Sequence, residues 1–220
     1  MNADIIRSIE STKIIAIVRR IYGEQLLNLA QALVKGGIRN IEVTFDQSDD
    51  DALRKTGGAI EQLCEKFSGE LFAGAGTVLS TEQVDAAARS GANYIISPNT
   101  DLDVIKRTKE RGLISIPGAM TPSEILAAHQ AGADYVKVFP AIDLGLGYIK
   151  NIRAPISHVK LVATGGVNEG NFADFLAAGY IAAGISGRLA DKVVIEAGDY
   201  DELTRRAKAF IKVAQENGGK

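Results

Sequence analysis

The sequence predicts an α/β protein whose strands close into a (β/α)8 TIM barrel. Three observations support this. Eight short runs rich in β-branched residues alternate with stretches at helical spacing. The runs lack polar alternation, as parallel strands buried on both faces do. Glycines recur between helical patterns and the next run, where a left-handed residue ends a helix, with Pro155 at the one junction that lacks a glycine. Eight such units in 220 residues favour closure into a barrel over the competing open, doubly wound sheet.

In chain order the predicted strands are 13–19 (KIIAIVR), 39–45 (RNIEVTF), 71–76 (LFAGAG), 92–97 (ANYIIS), 113–117 (LISIP), 133–139 (ADYVKVF), 159–164 (VKLVAT) and 180–184 (YIAAG). Among the helices between them, Leu26, Leu29, Ala30 and Leu33 share one face. Ser80 with Gln83 forms a weak helix start, and Thr121-Pro122-Ser123-Glu124 a strong one, a capping box with proline at the first helical position. Asn168 is the expected N-cap before Phe172 and Leu176. The last helix is expected over 201–215, with Leu203, Ala207, Phe210, Ile211 and Ala214 on one stripe. Gly37, Gly69, Gly91, Gly112, Gly132 and Gly179 are the expected helix-ending glycines.

The whole chain, 1–220, reads as a single domain. Its 25 basic and 27 acidic residues leave a net charge of -2 with no basic block, which argues against nucleic-acid or anionic-membrane partners. Cys64 is the only cysteine, so no internal disulfide forms and a reducing, cytoplasmic location is expected. The N-terminal MNADIIRSIESTK lacks the apolar core of a secretory signal, and no apolar run is long enough to span a bilayer. Gly74-Ala75-Gly76 begins like a dinucleotide fingerprint, but Leu79 stands at the third glycine position. No cofactor is therefore expected. His129 and His158 read as structural or solvent-exposed, Tyr94, Tyr135 and Tyr148 as packing residues, and no metal-ligand cluster is evident.

In such barrels, polar residues at the carboxyl ends of strands form the active site. Two ionisable residues stand within strands there: Lys137 in YVKVFP and Glu42 in NIEVTF. Val136 and Val138 flank Lys137, and Ile41 and Val43 flank Glu42, so alternation turns both charged side chains into the barrel. Burial of an ammonium favours loss of its proton, and a neutral amine is what imine chemistry needs. Glu42 suits a general base and acid beside that imine. The alternative for both is a purely structural ion pair. Gly165-Gly166 and Gly184-Ile185-Ser186-Gly187 end the last two strands, where barrels cradle phosphate on backbone N–H groups. Their alternative is ordinary turn glycine.

The motifs IEVT (41–44), GAGTVL (74–79), ISPN (96–99), IPGAMTPSE (116–124), VKVFPA (136–141) and TGGV (164–167) occur in the order seen in one family. Over nearly its whole length the chain resembles the 2-keto-3-deoxy-6-phosphogluconate (KDPG) and 4-hydroxy-2-oxoglutarate aldolases. The resemblance implies a metal-free class I aldolase, a homotrimer of barrels acting on a small 2-oxo acid. The products would be pyruvate and either glyceraldehyde 3-phosphate or glyoxylate. It further implies Lys137 as Schiff-base lysine, Glu42 as proton-transfer residue and Thr77 as holder of the pyruvyl carboxylate. Pro98 and Pro117 would line the pocket. Thr164, Gly165, Gly166, Gly184 and Ser186 would receive the phosphate, and Arg19 would contact substrate. One departure stands out. Phosphogluconate-specific members read EVTLR, whereas here EVTFDQ places Asp46 where an arginine is expected. Relatives acting on phosphogalactonate also lack that arginine. Other functions compatible with the phosphate loops are a phosphosugar isomerase or epimerase, and a non-catalytic phosphate-binding barrel. An isomerase has no use for a lysine in mid-strand, and a non-catalytic barrel need not keep Lys137 and Glu42.

Overall fold

In the computed structural model, which describes residues 2–217, helices and strands alternate along the chain. The order is α1 (Asn2–Thr12), β1 (Ile14–Val18), α2 (Gly23–Lys35), β2 (Asn40–Thr44), α3 (Ala52–Lys66), β3 (Phe72–Gly76), α4 (Thr81–Arg89), β4 (Tyr94–Ile96), α5 (Leu102–Glu110), β5 (Ile114–Ile116), β6 (Gly118–Ala119), α6 (Pro122–Gln130), β7 (Val136–Val138), α7 (Ala141–Arg153), β8 (Leu161–Thr164), α8 (Phe172–Ala177), β9 (Ala182–Ile185), α9 (Lys192–Glu196) and α10 (Tyr200–Glu216).

The strands form one parallel sheet in the order β5-β4-β3-β2-β1-β9-β8-β7-β6. Of its two ends, β5 lies within the fifth strand read from sequence, 113–117, and β6 continues that strand beyond the expected end. Pro117 divides them because it has no N–H to give to the ladder. Pairing nevertheless continues through the break. Ser97 N–H donates to the Ile116 carbonyl at 3.3 Å, Lys137 N–H to Pro117 at 2.8 Å and Phe139 N–H to Ala119 at 3.2 Å. The sheet thus closes on itself as a (β/α)8 barrel, and the open doubly wound alternative is excluded.

Local chemistry sets the helix ends. All six expected glycines have positive φ; at Gly132, φ is 98° and its N–H returns to the His129 carbonyl at 3.0 Å. The Thr121 box is complete, with Thr121 Oγ1 accepting from Glu124 N–H at 3.3 Å and Glu124 Oε2 accepting from Thr121 N–H at 2.8 Å. Ser80 Oγ accepts from Gln83 N–H at 3.2 Å. The expected cap at Asn168 is displaced: Asn171 stands at the N-cap of α8, and Asn168 Oδ1 instead accepts from Gly170 N–H at 2.9 Å. An asparagine followed two residues later by glycine satisfies its side chain in a local turn before the helix begins.

Two apolar clusters result from strand alternation. Outward residues such as Ile14, Ala16, Ile41, Val43, Val136, Val138 and Leu161 pack under the helical shell. Inward Ile15, Tyr94, Ile114, Tyr135, Val162 and Ala182 meet Ile5 and Ile9 of α1. These inward residues lie at the start of their strands, so α1 plugs the amino-terminal mouth of the barrel. Glu10 fastens the plug, accepting from Lys160 Nζ at 2.6 Å and from the Tyr135 hydroxyl at 3.2 Å. Sequence reading missed this helix, although Ile5 and Ile9 stand four residues apart, and missed the short α9. Ile9 is fully buried, so Ile9→Ala should destabilise the barrel by about 2–5 kcal/mol. A urea midpoint unchanged from wild type would show that α1 is not part of the core.

Candidate active site

Lys137 and Tyr135 project from the same face of their strand, as do Glu42 and Asn40. Because Tyr135 belongs to the lower plug, Lys137 stands one step nearer the carboxyl-terminal mouth. Register places Glu42 beside Ile17 and Gly74, and Lys137 beside Gly118 and Val162. Both are almost wholly buried, with 1% and 4% exposure.

The glycines of the 74–76 segment make the space they occupy. A Cβ at Gly76 would sit 1.7 Å from Glu42 Oε1, and one at Gly74 would sit 2.1 Å from the Tyr94 ring. Side chains at these two positions would fill the volume that Glu42 and Tyr94 take. Gly184 plays the same part for Thr164, whose Oγ1 would lie 2.8 Å from an added Cβ.

Glu42 and Lys137 are close enough to act on each other electrostatically, yet no ion pair within 4.0 Å joins them. The purely structural ion pair considered from sequence is not what forms. Burial raises the Glu42 carboxyl above the ordinary carboxylate range, against the opposing fields of Lys137 and Arg19. Burial likewise lowers the Lys137 ammonium; Glu42 opposes that shift and Arg19 adds to it. Lys137 Nζ also lies 4.9 Å from the centroid of the Phe139 ring.

Two clefts among the loops at the carboxyl ends of the strands share Arg19 and Ser186. One, of about 410 Å³, is lined by Arg19, Arg20, Thr44, Asp46, Gln47, Thr77, Ser186 and Lys192, among others. The other, of about 310 Å³, is lined by Ile17, Phe139, Thr164, Gly165, Gly166, Gly184, Ser186 and Arg188, with neighbours. Gly165 and Gly166 hold φ of 98° and 77°, which lets the backbone turn sharply at the end of β8. Among the described residues, the N–H groups of Gly166 and Gly187 meet no protein acceptor. Seven of the sequence-predicted residues are therefore gathered along the clefts: Arg19, Thr77, Thr164, Gly165, Gly166, Gly184 and Ser186; Lys137 and Glu42 are not among the lining residues, although Phe139, two residues after Lys137, is. Pro98 and Pro117 stand apart, on the β4–β6 side. Pro117 touches Lys137 through its backbone carbonyl, and Pro98 meets the backbone of Gly118.

The residue that sequence reading missed is Arg20. Asp46, placed where an arginine was expected, is engaged by it, with Arg20 Nε 2.7 Å from Oδ2 and Nη2 3.0 Å from Oδ1. Hydrogen bonds from Ser48 and then Arg20 hold the Asp46 carboxyl below its ordinary range. The signal was present as two consecutive arginines ending β1 opposite an aspartate ending β2. His129 and His158 are both exposed, their rings in edge contact at 5.0 Å. Tyr94 and Tyr135 are buried packing residues, whereas the Tyr148 hydroxyl donates to the Met120 carbonyl and ties α7 to the loop before α6. Among the described residues, no helix is long and apolar enough to cross a membrane.

A family model described as KDPG and KHG aldolase matches residues 5–206. The chain belongs to the KDPG and KHG aldolase family. Family membership makes it a carbon–carbon lyase. A probable 2-dehydro-3-deoxy-6-phosphogalactonate aldolase of Rhizobium meliloti (strain 1021) is 36% identical over 187 residues, which cover 84% of this chain and 85% of the relative. A solved structure described as native KDPGal superposes with a TM-score of 0.82 at 31% identity, over 93% of this chain and 95% of the other. The KDPG aldolase of Legionella pneumophila, solved with pyruvate captured as a covalent carbinolamine, gives 0.81 at 27% identity, over 92% and 95%.

In this aldolase the buried amine is a stability cost. Its folded-state pKa is lowered, so the unfolded chain binds more protons below the unfolded value, and stability rises with pH towards that value. Lys137→Met should therefore raise Tm at pH 7, at about 2–4 °C per kcal/mol for a chain of this size. The gain should shrink as pH approaches about 10. An equal or lower Tm at pH 7 would show that the amine is adequately compensated where it stands.

Proposed function

We propose that this chain is a class I aldolase in which Lys137 forms a Schiff base with a 2-oxo acid and Glu42 moves the protons. The observation that carries this reading is the pair itself: two buried ionisable groups, unjoined by an ion pair, each pushed by burial towards its neutral form. The neutral Lys137 amine adds to the substrate ketone, giving a carbinolamine that loses water to the imine. Glu42 gives its proton to the departing water of the carbinolamine, and the carboxylate so formed takes the proton of the C4 hydroxyl as the C3–C4 bond breaks, while the electron pair passes into an enamine and the aldehyde leaves. The same carboxyl returns the proton to C3. Water then hydrolyses the imine, freeing pyruvate and Lys137.

The substrate is a 4-hydroxy-2-oxo acid, and the glycine-lined cleft favours one with a distal phosphate. Gly166 and Gly187 N–H groups, the Ser186 hydroxyl and Thr164 supply donors for phosphate oxygens there. Thr77 serves the carboxylate end and Arg19, shared by both clefts, contacts the substrate between them. Both 2-keto-3-deoxy-6-phosphogluconate and its galactonate epimer fit this division, with unphosphorylated 4-hydroxy-2-oxoglutarate a poorer substrate. A phosphosugar isomerase would leave the neutral amine without a task.

Incubation with pyruvate and borohydride should add one pyruvyl group per chain, at Lys137, located by peptide mass. An adduct elsewhere, or full lyase activity in Lys137→Ala, would refute the mechanism.

The pH dependence has a definite sign. Trapping requires the free amine, so its rate falls as pH drops through the Lys137 pKa, which burial places below the ordinary lysine value. Arg19 lowers that pKa further, so Arg19→Ala should move the acid limb to higher pH when measured at saturating pyruvate. A limb that stays in place or moves down would show that the Arg19 field does not reach Lys137.

A further inference from the structure

We propose that Asp46 is a positioning residue, holding the Arg20 guanidinium so that its free edge takes the carboxylate of the 2-oxo acid. The inference rests on the Schiff-base reading above and names the group that orients the acid end of that substrate.

Arg20 meets Asp46 through Nε and Nη2, which occupies one edge of the guanidinium fork. Its Nη1 has no protein partner among the described residues. Asp46 is itself fixed, with Oδ1 accepting from Ser48 Oγ at 2.7 Å and from Ser48 N–H at 3.2 Å. The same β2–α3 loop carries a second strut. Gln47 Nε2 donates to the Thr77 carbonyl at 2.7 Å, and Gln83 Nε2 steadies Gln47 at 3.0 Å. The two residues so held, Arg20 and Thr77, have φ of 56° and 54°, left-handed backbone that side-chain-bearing residues rarely adopt. Both line the larger cleft, beside Arg19.

Stability does not account for this arrangement. The Arg20 side chain is 62% exposed, and an ion pair so placed contributes little. Left-handed backbone at a non-glycine residue is a cost, and such strain concentrates at ligand clamps. A guanidinium fixed along one edge, by contrast, offers its remaining N–H groups to a carboxylate without losing further side-chain freedom. Asp46 would repel that carboxylate if left bare, but its oxygens already take four donor contacts, from Arg20 and Ser48. The cation that an arginine at position 46 would supply is delivered instead from the end of β1.

The test is the rate of borohydride trapping against pyruvate concentration in wild type, Arg20→Gln, Asp46→Asn and the double variant. Losing a charge-assisted hydrogen bond should raise the half-saturating pyruvate about 10–100-fold in Arg20→Gln, with a maximal rate within about twofold. Asp46→Asn should raise it less, and the double variant no more than Arg20→Gln alone, because Asp46 acts through Arg20. Arg20→Lys, which keeps the charge but loses the fork, should raise it several-fold and serves if Arg20→Gln does not fold. An unchanged half-saturation in Arg20→Gln or Arg20→Lys, or effects of the two single variants that multiply, overturns the proposal. Pyruvate-dependent thermal stabilisation, measured on the same proteins, separates the two readings. A wild-type adduct at Lys137 that is indifferent to Arg20 overturns the clamp alone. No adduct, with stabilisation present in wild type and lost in Arg20→Gln, overturns the Schiff base alone. A wild type showing neither adduct nor stabilisation overturns both.

Discussion

The rest of the site depends on one constraint: an amine and a carboxyl are buried in the barrel without pairing. An ion pair at contact distance would satisfy both groups and silence both, since each would hold the other in its charged form. Kept apart, each is governed chiefly by desolvation. Such an arrangement needs walls that neither collapse nor admit the two groups to each other. The parallel sheet supplies the walls, because its register fixes Glu42 on β2 and Lys137 on β7 from opposite sides of the closed ring. The α1 plug supplies the floor, closing the amino-terminal mouth with Ile5 and Ile9. Gly74 and Gly76 supply the space, leaving the wall beside Glu42 without side chains.

How far the sequence could be read follows from the range of each interaction. Strand–helix alternation, the Thr121 box and the helix-ending glycines are local, within a few residues, and were visible. So was the inward direction of Lys137 and Glu42, because period-two alternation needs only the flanking valines and isoleucines. What escaped depends on neighbours distant in sequence. Glycines at 74 and 76 were set aside from sequence as an incomplete dinucleotide fingerprint, and only cross-strand packing gives their purpose, with Tyr94 and Glu42 lying over them. The Arg20–Asp46 pair spans 26 residues and requires a left-handed turn that no propensity assigns to arginine. The α1 helix had its Ile5–Ile9 spacing, but nothing local announces that its partner is the open end of a barrel. At the start of α8, two asparagines competed for one cap, and the glycine at 170 decided for the second.

The larger cleft shows how loops of one barrel divide their labour. The loop after β2 contributes little chemistry of its own to the site, yet it carries the struts that fix residues after β1 and β3. A residue at the end of a strand is aimed by that strand only as far as its backbone; beyond that, its side chain needs a neighbour to hold it. Aspartate at 46 is thus consistent with an anionic substrate, provided that its charge is consumed by Arg20. The meaning of a residue at this position cannot be separated from the residue that faces it across the sheet.

Arg19 gives the buried pair its direction. Three low-charge arrangements compete: both groups neutral, both charged, or carboxylate with free amine. Desolvation favours the first, and the mutual attraction of Glu42 and Lys137 favours the second. Arg19 lowers the pKa of both groups. A fixed cation stabilises the carboxylate and destabilises the ammonium, so it specifically favours the third arrangement, a net negative pair. Arg19 thus supports the free amine that the proposed chemistry starts from, and it eases the ionised form of Glu42 that the later proton uptake needs. A single exposed arginine at the mouth thereby works with burial at Lys137 and against it at Glu42.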